Sequence, residues 1–286
     1  MAEFPNLPDL VEPVMVAAFE GWNDAGEAAS AATEHLASRW ETQEVVAVES
    51  DEYYDFQVSR PRARIVDGVS QGLQWPATRL SVARPEGAQR DVVLMRGVEP
   101  NMRWRAFCSE LVTVAQRLGV RRVVLLGALL ADSPHTRPIP VTATVSTPEL
   151  GDRLDLETSS YEGPTGVVGA LHDAFTEAGM DAVSLWAAIP HYAAQPPCPK
   201  GTLALLRRVE DAAELSVPMG DLPEEARAWE RGVDELADED SDVASYVRSL
   251  EEAKDAAELP EASGDAIARD FERYLKRRDG GKGSGA

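Results

Sequence analysis

Short apolar runs alternate with segments of helical periodicity over the first two hundred residues. Strand-like segments occupy residues 14–19, 44–48, 91–96, 121–126, 141–145 and 182–188, and the first of them is a continuous apolar run, which is typical of a strand buried on both faces. Between them, residues 24–40, 104–118 and 167–178 place apolar side chains at helical spacing. This order predicts an α/β fold with a mostly parallel sheet flanked by helices.

Residues 49–84 break this alternation. Aromatic Tyr53, Tyr54 and Phe56 precede several short strand-like runs, and Asp67-Gly68 lies between two of them. Asp-Gly between such runs indicates a β-hairpin. We therefore expect a β-hairpin insertion at about residues 50–84, which could serve as a lid, as an oligomer contact or simply as a sheet-edge hairpin.

From Gly201 onward the pattern becomes helical and strongly acidic. Trp229, Leu236, Val243 and Leu250 recur every seven residues, and an acidic stretch at 238–241 interrupts the run. Side chains of this type cap helices, so we predict a helical hairpin there. The chain thus divides into an α/β core at 1–200 and an acidic C-terminal helical subdomain at 201–279. The latter ends in a helix at 266–278, and a flexible tail follows at 280–286.

Charge and composition exclude several functions. The 286 residues carry a net charge of −21, which disfavours binding to nucleic acid or to an anionic membrane. No apolar run reaches the roughly 20 residues of a membrane helix, and the N-terminus lacks the pattern of a signal peptide. Two distant cysteines fit a reducing cytoplasm. We therefore expect a cytoplasmic protein.

Four polar loops follow four predicted strands, at residues 20–26, 96–101, 127–137 and 190–195. Because ligands bind beyond the carboxyl ends of parallel strands, these loops predict a pocket at one edge of the sheet. The candidate ligand-binding residues are Gly21, Asn23, Asp24, Gly26, Arg96, Glu99, His135, Gly163 and His191.

The sequence allows more than one role for several candidates, and the turn that contains Gly163 could cradle a ligand at a helix start or could simply lead into the helix. Asn23 and Asp24 could contact a ligand or could cap the following helix. Arg96 could bind an anion or pair with a nearby carboxylate. The two histidines, His135 and His191, could serve as acid–base groups or could shape their loops.

Motifs that would define a reaction are missing from the sequence. No Gly-Lys-Ser/Thr phosphate loop and no Gly-x-Gly-x-x-Gly turn occurs, and the Gly-x-Ser-x-Gly spacing at residues 68–72 lies in the predicted hairpin, not in an elbow between a strand and a helix. His-x-x-x-His spacing, which would favour a metal, does not occur either. We therefore expect no metal and no cofactor, and we assign no catalytic residue.

Several motifs in fixed order resemble the proteasome assembly chaperone 2 family, in its actinobacterial branch, over about residues 10–275. They are Gly21-Trp22-Asn23-Asp24-Ala25-Gly26, Tyr54-Asp55-Phe56, Arg60-Pro61, Trp75-Pro76, Arg96-Gly97 with Glu99-Pro100, Tyr161-Glu162-Gly163-Pro164-Thr165-Gly166 and Pro190-His191-Tyr192. The resemblance implies a core similar to nucleoside phosphorylases and peptidyl-tRNA hydrolases. It also implies a hairpin used in oligomerisation, in a trimer, and C-terminal helices that lie over the site as a lid.

Two functions follow from these observations. The first is an oligomeric chaperone-like or scaffold protein with a ligand pocket at the strand ends, which associates with itself and with a protein partner. The alternative is a small-ligand-binding enzyme, hydrolase- or phosphorylase-like, with its pocket under the C-terminal helices. The sequence leaves open whether the protein is an enzyme.

Overall fold

The structure is a computed structural model that describes residues 7–49 and 51–258. Nine strands are present in this part: β1 (Val14–Glu20), β2 (Thr42–Val48), β3 (Arg62–Val66), β4 (Val69–Gln74), β5 (Thr78–Ala83), β6 (Val92–Val98), β7 (Arg122–Ala131), β8 (Val141–Val145) and β9 (Asp181–Pro190). Seven of them form one sheet, in the order β2-β5-β6-β1-β7-β9-β8. The helix and the tail predicted at 266–278 and 280–286 lie outside the described residues.

The centre of the sheet is parallel and its two edges are antiparallel. β1 runs parallel to β6 and β7, and β7 runs parallel to β9. At one edge β5 and β2 add in antiparallel pairs, and at the other edge β8 adds antiparallel to β9. The predicted α/β fold is confirmed, and its parallel part consists of the four central strands.

Helices cover both faces of the sheet. They are α1 (Ala28–Arg39), α2 (Trp104–Arg117), α3 (Pro148–Leu154), α4 (Val167–Glu177), α5 (Pro199–Ala213), α6 (Leu222–Glu239) and α7 (Ser241–Glu258). Because successive strand residues point to opposite faces, Val16 packs with α1 and α5, whereas Phe19 packs with α2 and α4. Each face therefore has its own apolar core.

Small residues bring α1 and α5 close together. A Cβ atom on Gly201 would lie 2.4 Å from Cδ1 of Ile189 and 3.1 Å from Cβ of Ala28. A larger residue at position 201 would push α5 away from the sheet.

A separate two-stranded sheet is formed by β3 and β4. Its turn places Asp67 and Gly68 at φ of 51° and 78°, so both central residues have the positive φ of a type I′ hairpin. β5 also falls within the interval of the predicted insertion, but it belongs to the main sheet. The segment that stands apart from that sheet is therefore shorter than residues 50–84.

The C-terminal helices α6 and α7 form the predicted helical hairpin. The side chain of Asp240, between them, accepts a hydrogen bond from the N–H of Asp242 at 2.9 Å and so caps α7. α6 buries Leu222, Ala226 and Val233. Over residues 7–49 and 51–258, no helix combines the length and the apolar content that crossing a membrane requires.

Candidate functional site

The four parallel strands end at one edge of the sheet, as the loop pattern predicts. The β1–β6 ladder ends at Glu20 opposite Val98, and the β1–β7 ladder ends at Ala18 opposite Leu126. Beyond the end of the β1–β7 ladder, Asp24 and Ala128 form a single parallel bridge. We call this side of the molecule the carboxyl edge.

A buried hydrogen-bond cluster joins two of these loops to the start of α4. Nδ2 of Asn23, which is fully buried, donates to Oε1 of Glu99 at 2.7 Å. The same oxygen accepts the N–H of Val167, at the start of α4, at 2.8 Å. Because a helix N-terminus attracts negative charge, the Glu99 carboxylate occupies the place that an anionic ligand would take.

Gly166 makes room for this cluster. A Cβ atom on Gly166 would lie 2.3 Å from Oδ1 of Asn23, which is closer than any real contact. The Oδ1 atom itself is buried and has no hydrogen-bond partner among the described residues. The glycine before α4 is therefore needed for the fit of Asn23 and does not cradle a ligand at this position.

Asp24 caps α1. Its Oδ1 accepts the N–H groups of Ala29 and Ser30 at 2.7 and 3.2 Å, and this capping role is one of the two that the sequence allowed. Burial raises the pKa of the Asp24 carboxyl above its ordinary value, although the hydrogen bonds to Ser30 and Ala29 oppose this effect.

Two glycines of the opening turn fit close backbone contacts. Gly21 has φ of 121° and lies against Glu99. Gly26 has φ of 62°, and a Cβ atom there would lie 2.8 Å from Cβ of Cys198. The N–H of Cys198 donates to the carbonyl oxygen of Gly26 at 2.9 Å, so the turn is attached to the start of α5.

Arg96 lines a cleft between α1, β6 and the base of the β3–β4 hairpin. Two neighbouring cavities of about 560 and 520 Å³ make up this cleft. Arg96 lines the first cavity, and Gly21, Asp24 and Gly26 line the second. The Arg96 guanidinium pairs with Glu34, which is the ion-pair role that the sequence allowed.

His135 and His191 contact the C-terminal helices. His135 is buried, with Nδ1 2.8 Å from the hydroxyl of Tyr192 and Nε2 2.9 Å from Oδ1 of Asp234 on α6. The ring of His191 contacts that of Tyr246 on α7 at a centroid distance of 5.4 Å. Both histidines therefore attach α6 and α7 to the sheet.

Further polar contacts extend this attachment. Arg137 pairs with Asp255 at 2.8 Å and with Glu251 at 3.4 Å, both on α7. Lys200 on α5 pairs with Glu230 on α6. The hydroxyl of Tyr246 on α7 donates to Oδ1 of Asp132 at 2.9 Å.

Gly163 takes part in none of these contacts and lies in an exposed turn. The hydroxyl of Tyr161 donates to the carbonyl oxygen of Pro164 at 3.1 Å and closes the turn. A Cβ atom on Gly163 would lie 2.5 Å from that hydroxyl. Within the described residues the contacts of Gly163 are local.

The candidate residues thus share one edge of the sheet but occupy separate places on it. Neither cavity of the cleft contains Asp24, Arg96 and His191 together, and neither does a third cavity of about 970 Å³ that is lined in part by α5 and α6. Among the described residues, no three His, Cys, Asp or Glu side chains are grouped as a metal would require.

Burial raises the pKa of both cysteine thiols, that of Cys108 to about 11, so neither is a ready nucleophile near neutral pH. The enzyme interpretation is not supported.

Sequence reasoning missed the partners that the C-terminal helices supply. Asp234 and Tyr246 lie about 100 residues or more from the groups they contact, and no local pattern links them. It also missed three exposed apolar residues at the carboxyl edge, Trp22, Leu129 and Leu130. The two leucines fall within residues 127–137, which the sequence predicted as a polar loop, whereas β7 continues to Ala131.

These features define an α/β protein with a parallel-centred sheet, an inserted β-hairpin and a C-terminal pair of helices. The chain belongs to the PAC2 family, whose family model matches residues 18–237. No curated protein matches the chain.

Solved structures agree with this assignment. The Mycobacterium tuberculosis proteasome-assembly chaperone homologue Rv2125 is 55% identical, with a TM-score of 0.77 over 82% of this chain and 99% of its own. A PAC2 family protein from Streptomyces avermitilis is 58% identical, with the same TM-score and coverage. PbaB from Pyrococcus furiosus, an archaeal proteasome activator, shares the fold at 17% identity, with a TM-score of 0.65 over 81% of this chain and 96% of its own.

Proposed function

We propose that the protein is an oligomeric, chaperone-like or scaffold protein of the cytoplasm that binds other proteins. Its similarity to a proteasome-assembly chaperone homologue at 55% identity supports a role of this kind. The net charge of −21 makes a nucleic-acid partner unfavourable, because phosphate backbones repel such a surface.

The observation that carries the proposal is the exposure of the β3–β4 hairpin. Every residue of both strands is exposed to solvent. Six large apolar side chains are exposed on the hairpin and its base, and we call them the hairpin patch: Val58, Ile65, Val66, Val69, Leu73 and Trp75. A two-stranded sheet is marginally stable alone in water, and apolar patches of this kind mark interaction sites. Self-association through the hairpin covers the hairpin patch. The family resemblance implies that three copies associate, as a trimer.

We further propose that the polar groups of the carboxyl edge build the protein and do not act on a substrate. Glu99 holds Asn23 and the start of α4. Asp24 holds the start of α1. Because these carboxylates already accept the N–H groups around them, an incoming anion finds no free helix N-terminus at either place.

Light scattering coupled to size-exclusion chromatography tests the self-association. The double variant Ile65→Ser/Leu73→Ser should elute as a single chain, whereas the wild type elutes as a multiple. Leu236→Ser is the matched control, because Leu236 is 67% exposed on α6, away from the hairpin. A wild type that remains a single chain at high micromolar concentration contradicts the proposal.

The protein partner is tested with the proteasome subunits of the source cell. We expect the wild type to form a stoichiometric complex with an unassembled subunit, and the hairpin double variant to bind more weakly. If purified subunits neither bind nor change their rate of assembly, the chaperone part of the proposal fails and the scaffold part remains.

A further inference from the structure

A second exposed apolar surface lies at the carboxyl edge. Its members follow β1 and β6, end β7 and precede α4; they are Trp22, Met102, Leu129, Leu130 and Tyr161, and we call them the edge patch. Their exposed fractions run from 42% for Met102 to 69% for Tyr161. Scattered exposed apolar residues are ordinary, but five at one edge of a sheet are not.

The buried cluster around Asn23 brings these segments together. Trp22 precedes Asn23, whose carbonyl oxygen accepts the N–H of Ala128 at 2.7 Å, next to the two leucines of β7. The Asn23 side chain contacts Glu99, near Met102, and lies against Gly166, in the loop that contains Tyr161. The edge patch is therefore built on a rigid base.

β7 also has a free backbone edge beside the patch. Its pairing with β1 ends at Leu126, and one bridge follows at Ala128. β7 itself continues to Ala131 with β9 on its other side. Among the described strands, none pairs with residues 129–131 on the β1 side, and such an edge can accept a strand from another chain.

The two patches differ in charge. The hairpin segment, residues 58–77, contains three arginines, at 60, 62 and 64, and one acidic residue, Asp67. The acidic residues of the carboxyl-edge loops that are exposed or half-buried and not used in the Asn23 cluster are Glu20, Glu27, Asp132 and Glu162, beside the two arginines Arg103 and Arg137. Of these, Glu20 pairs with Arg62 of the same chain at 3.3 Å. The hairpin segment is thus net basic in a chain of net charge −21, and the loops of the edge are net acidic, so the two surfaces are complementary in charge.

We propose that the edge patch of one copy receives the β3–β4 hairpin of a second copy. This rests on the proposed self-association and adds which surface the hairpin meets. Since the two surfaces differ, the contact is heterologous, and repeating it around an axis closes a ring. A trimer is such a ring, in which each copy gives one hairpin and receives one.

Paired variants test this arrangement. Trp22→Ser/Leu130→Ser removes two anchors of the edge patch, and Ile65→Ser/Leu73→Ser removes two of the hairpin patch. Each should weaken assembly by about 100-fold, which corresponds to about 2.7 kcal/mol, because a few apolar anchors carry most of the binding energy of an interface. Circular dichroism and thermal melting check that each variant folds, and Leu236→Ser is again the exposed control.

Mixing the two double variants identifies the geometry. The edge variant keeps an intact hairpin and the hairpin variant keeps an intact edge, so the mixture should form a one-to-one dimer and no larger species. If the edge variant assembles as well as the wild type, the inference is overturned, although self-association through the hairpin stands. In that case either the hairpins contact one another or the edge patch binds a different protein. If the wild type does not assemble, the proposed function fails first.

Discussion

The Glu99 carboxylate joins three segments at the carboxyl edge. In Glu99→Ala, Nδ2 of Asn23 and the N–H of Val167 lose their acceptor. Because unpaired buried donors are costly, we expect a loss of about 2 kcal/mol in the free energy of unfolding, measured in urea. Glu162→Ala, in the exposed turn of the same edge, should change it by less than about 0.5 kcal/mol. Equal effects would contradict the assigned role.

Gly166 provides a second test of the same cluster. Gly166→Ala places a Cβ atom against Oδ1 of Asn23 and should destabilise the fold by about 1–3 kcal/mol. Gly232→Ala is the matched control, since nothing lies within 4 Å of a Cβ there and alanine favours the interior of α6. We expect that control to be neutral or stabilising. If Gly166→Ala leaves the stability of the fold unchanged, the close packing of Asn23 against Gly166 is contradicted.

The raised pKa of Asp24 predicts a pH dependence. A carboxyl whose pKa is higher in the folded state than in the unfolded state binds more protons when folded, so its contribution to stability falls as the pH rises through the folded pKa. Asp24→Asn removes this titration. Relative to the wild type, the variant should therefore gain stability between pH 4 and pH 7, measured by chemical denaturation at each pH. A constant difference between the two proteins would contradict the raised pKa.

Local and distant roles differ in how far the sequence could predict them. Capping by Asp24 was one of two open roles, because an acidic residue before a predicted helix is a local signal. The pairing of Asn23 with Glu99 joins positions 76 residues apart, and only the adjacency of β1 and β6 brings them together. The sequence therefore placed both residues at the correct edge without identifying their contact.

At the scale of elements, apolar runs predicted the strands well but not their directions. β2, β5 and β8 are antiparallel to their neighbours. A run of apolar residues does not indicate the direction of a strand, because the pattern is the same for parallel and antiparallel pairing. α3 was not predicted. It has seven residues, and its signal is confined to Thr147, whose side chain accepts the N–H of Leu150, and Pro148 at the first turn.

The attachment of α7 to the sheet side is largely polar, which gives a prediction at this scale. Arg137→Ala removes the pairs with Glu251 and Asp255. We expect faster hydrogen exchange in residues 241–256, with unchanged exchange in β1 and β7, because only the docking of α7 is weakened. Arg153→Ala, which loses a pair with Asp181 away from these helices, is the control. Unchanged exchange in α7 would show that its apolar side alone holds it.

At the scale of the whole molecule, most apolar side chains fill two cores, whereas those of the hairpin patch are exposed to solvent. The sequence indicated the hairpin through Asp67-Gly68, and the family resemblance indicated its use in oligomerisation. The edge patch had no such signal, since Leu129 and Leu130 continue a buried strand and become exposed where its neighbour β1 ends. Exposure of this kind depends on strand lengths in three dimensions, which periodicity does not contain.

Hydrogen exchange in residues 62–74, measured across protein concentrations, tests the central claim most directly. Self-association through the hairpin predicts slow exchange in these residues when the protein is concentrated and fast exchange when it is diluted to a single chain. The same residues in Ile65→Ser/Leu73→Ser should exchange rapidly at every concentration. Rapid exchange in the concentrated wild-type hairpin, with no dependence on concentration, would contradict the account.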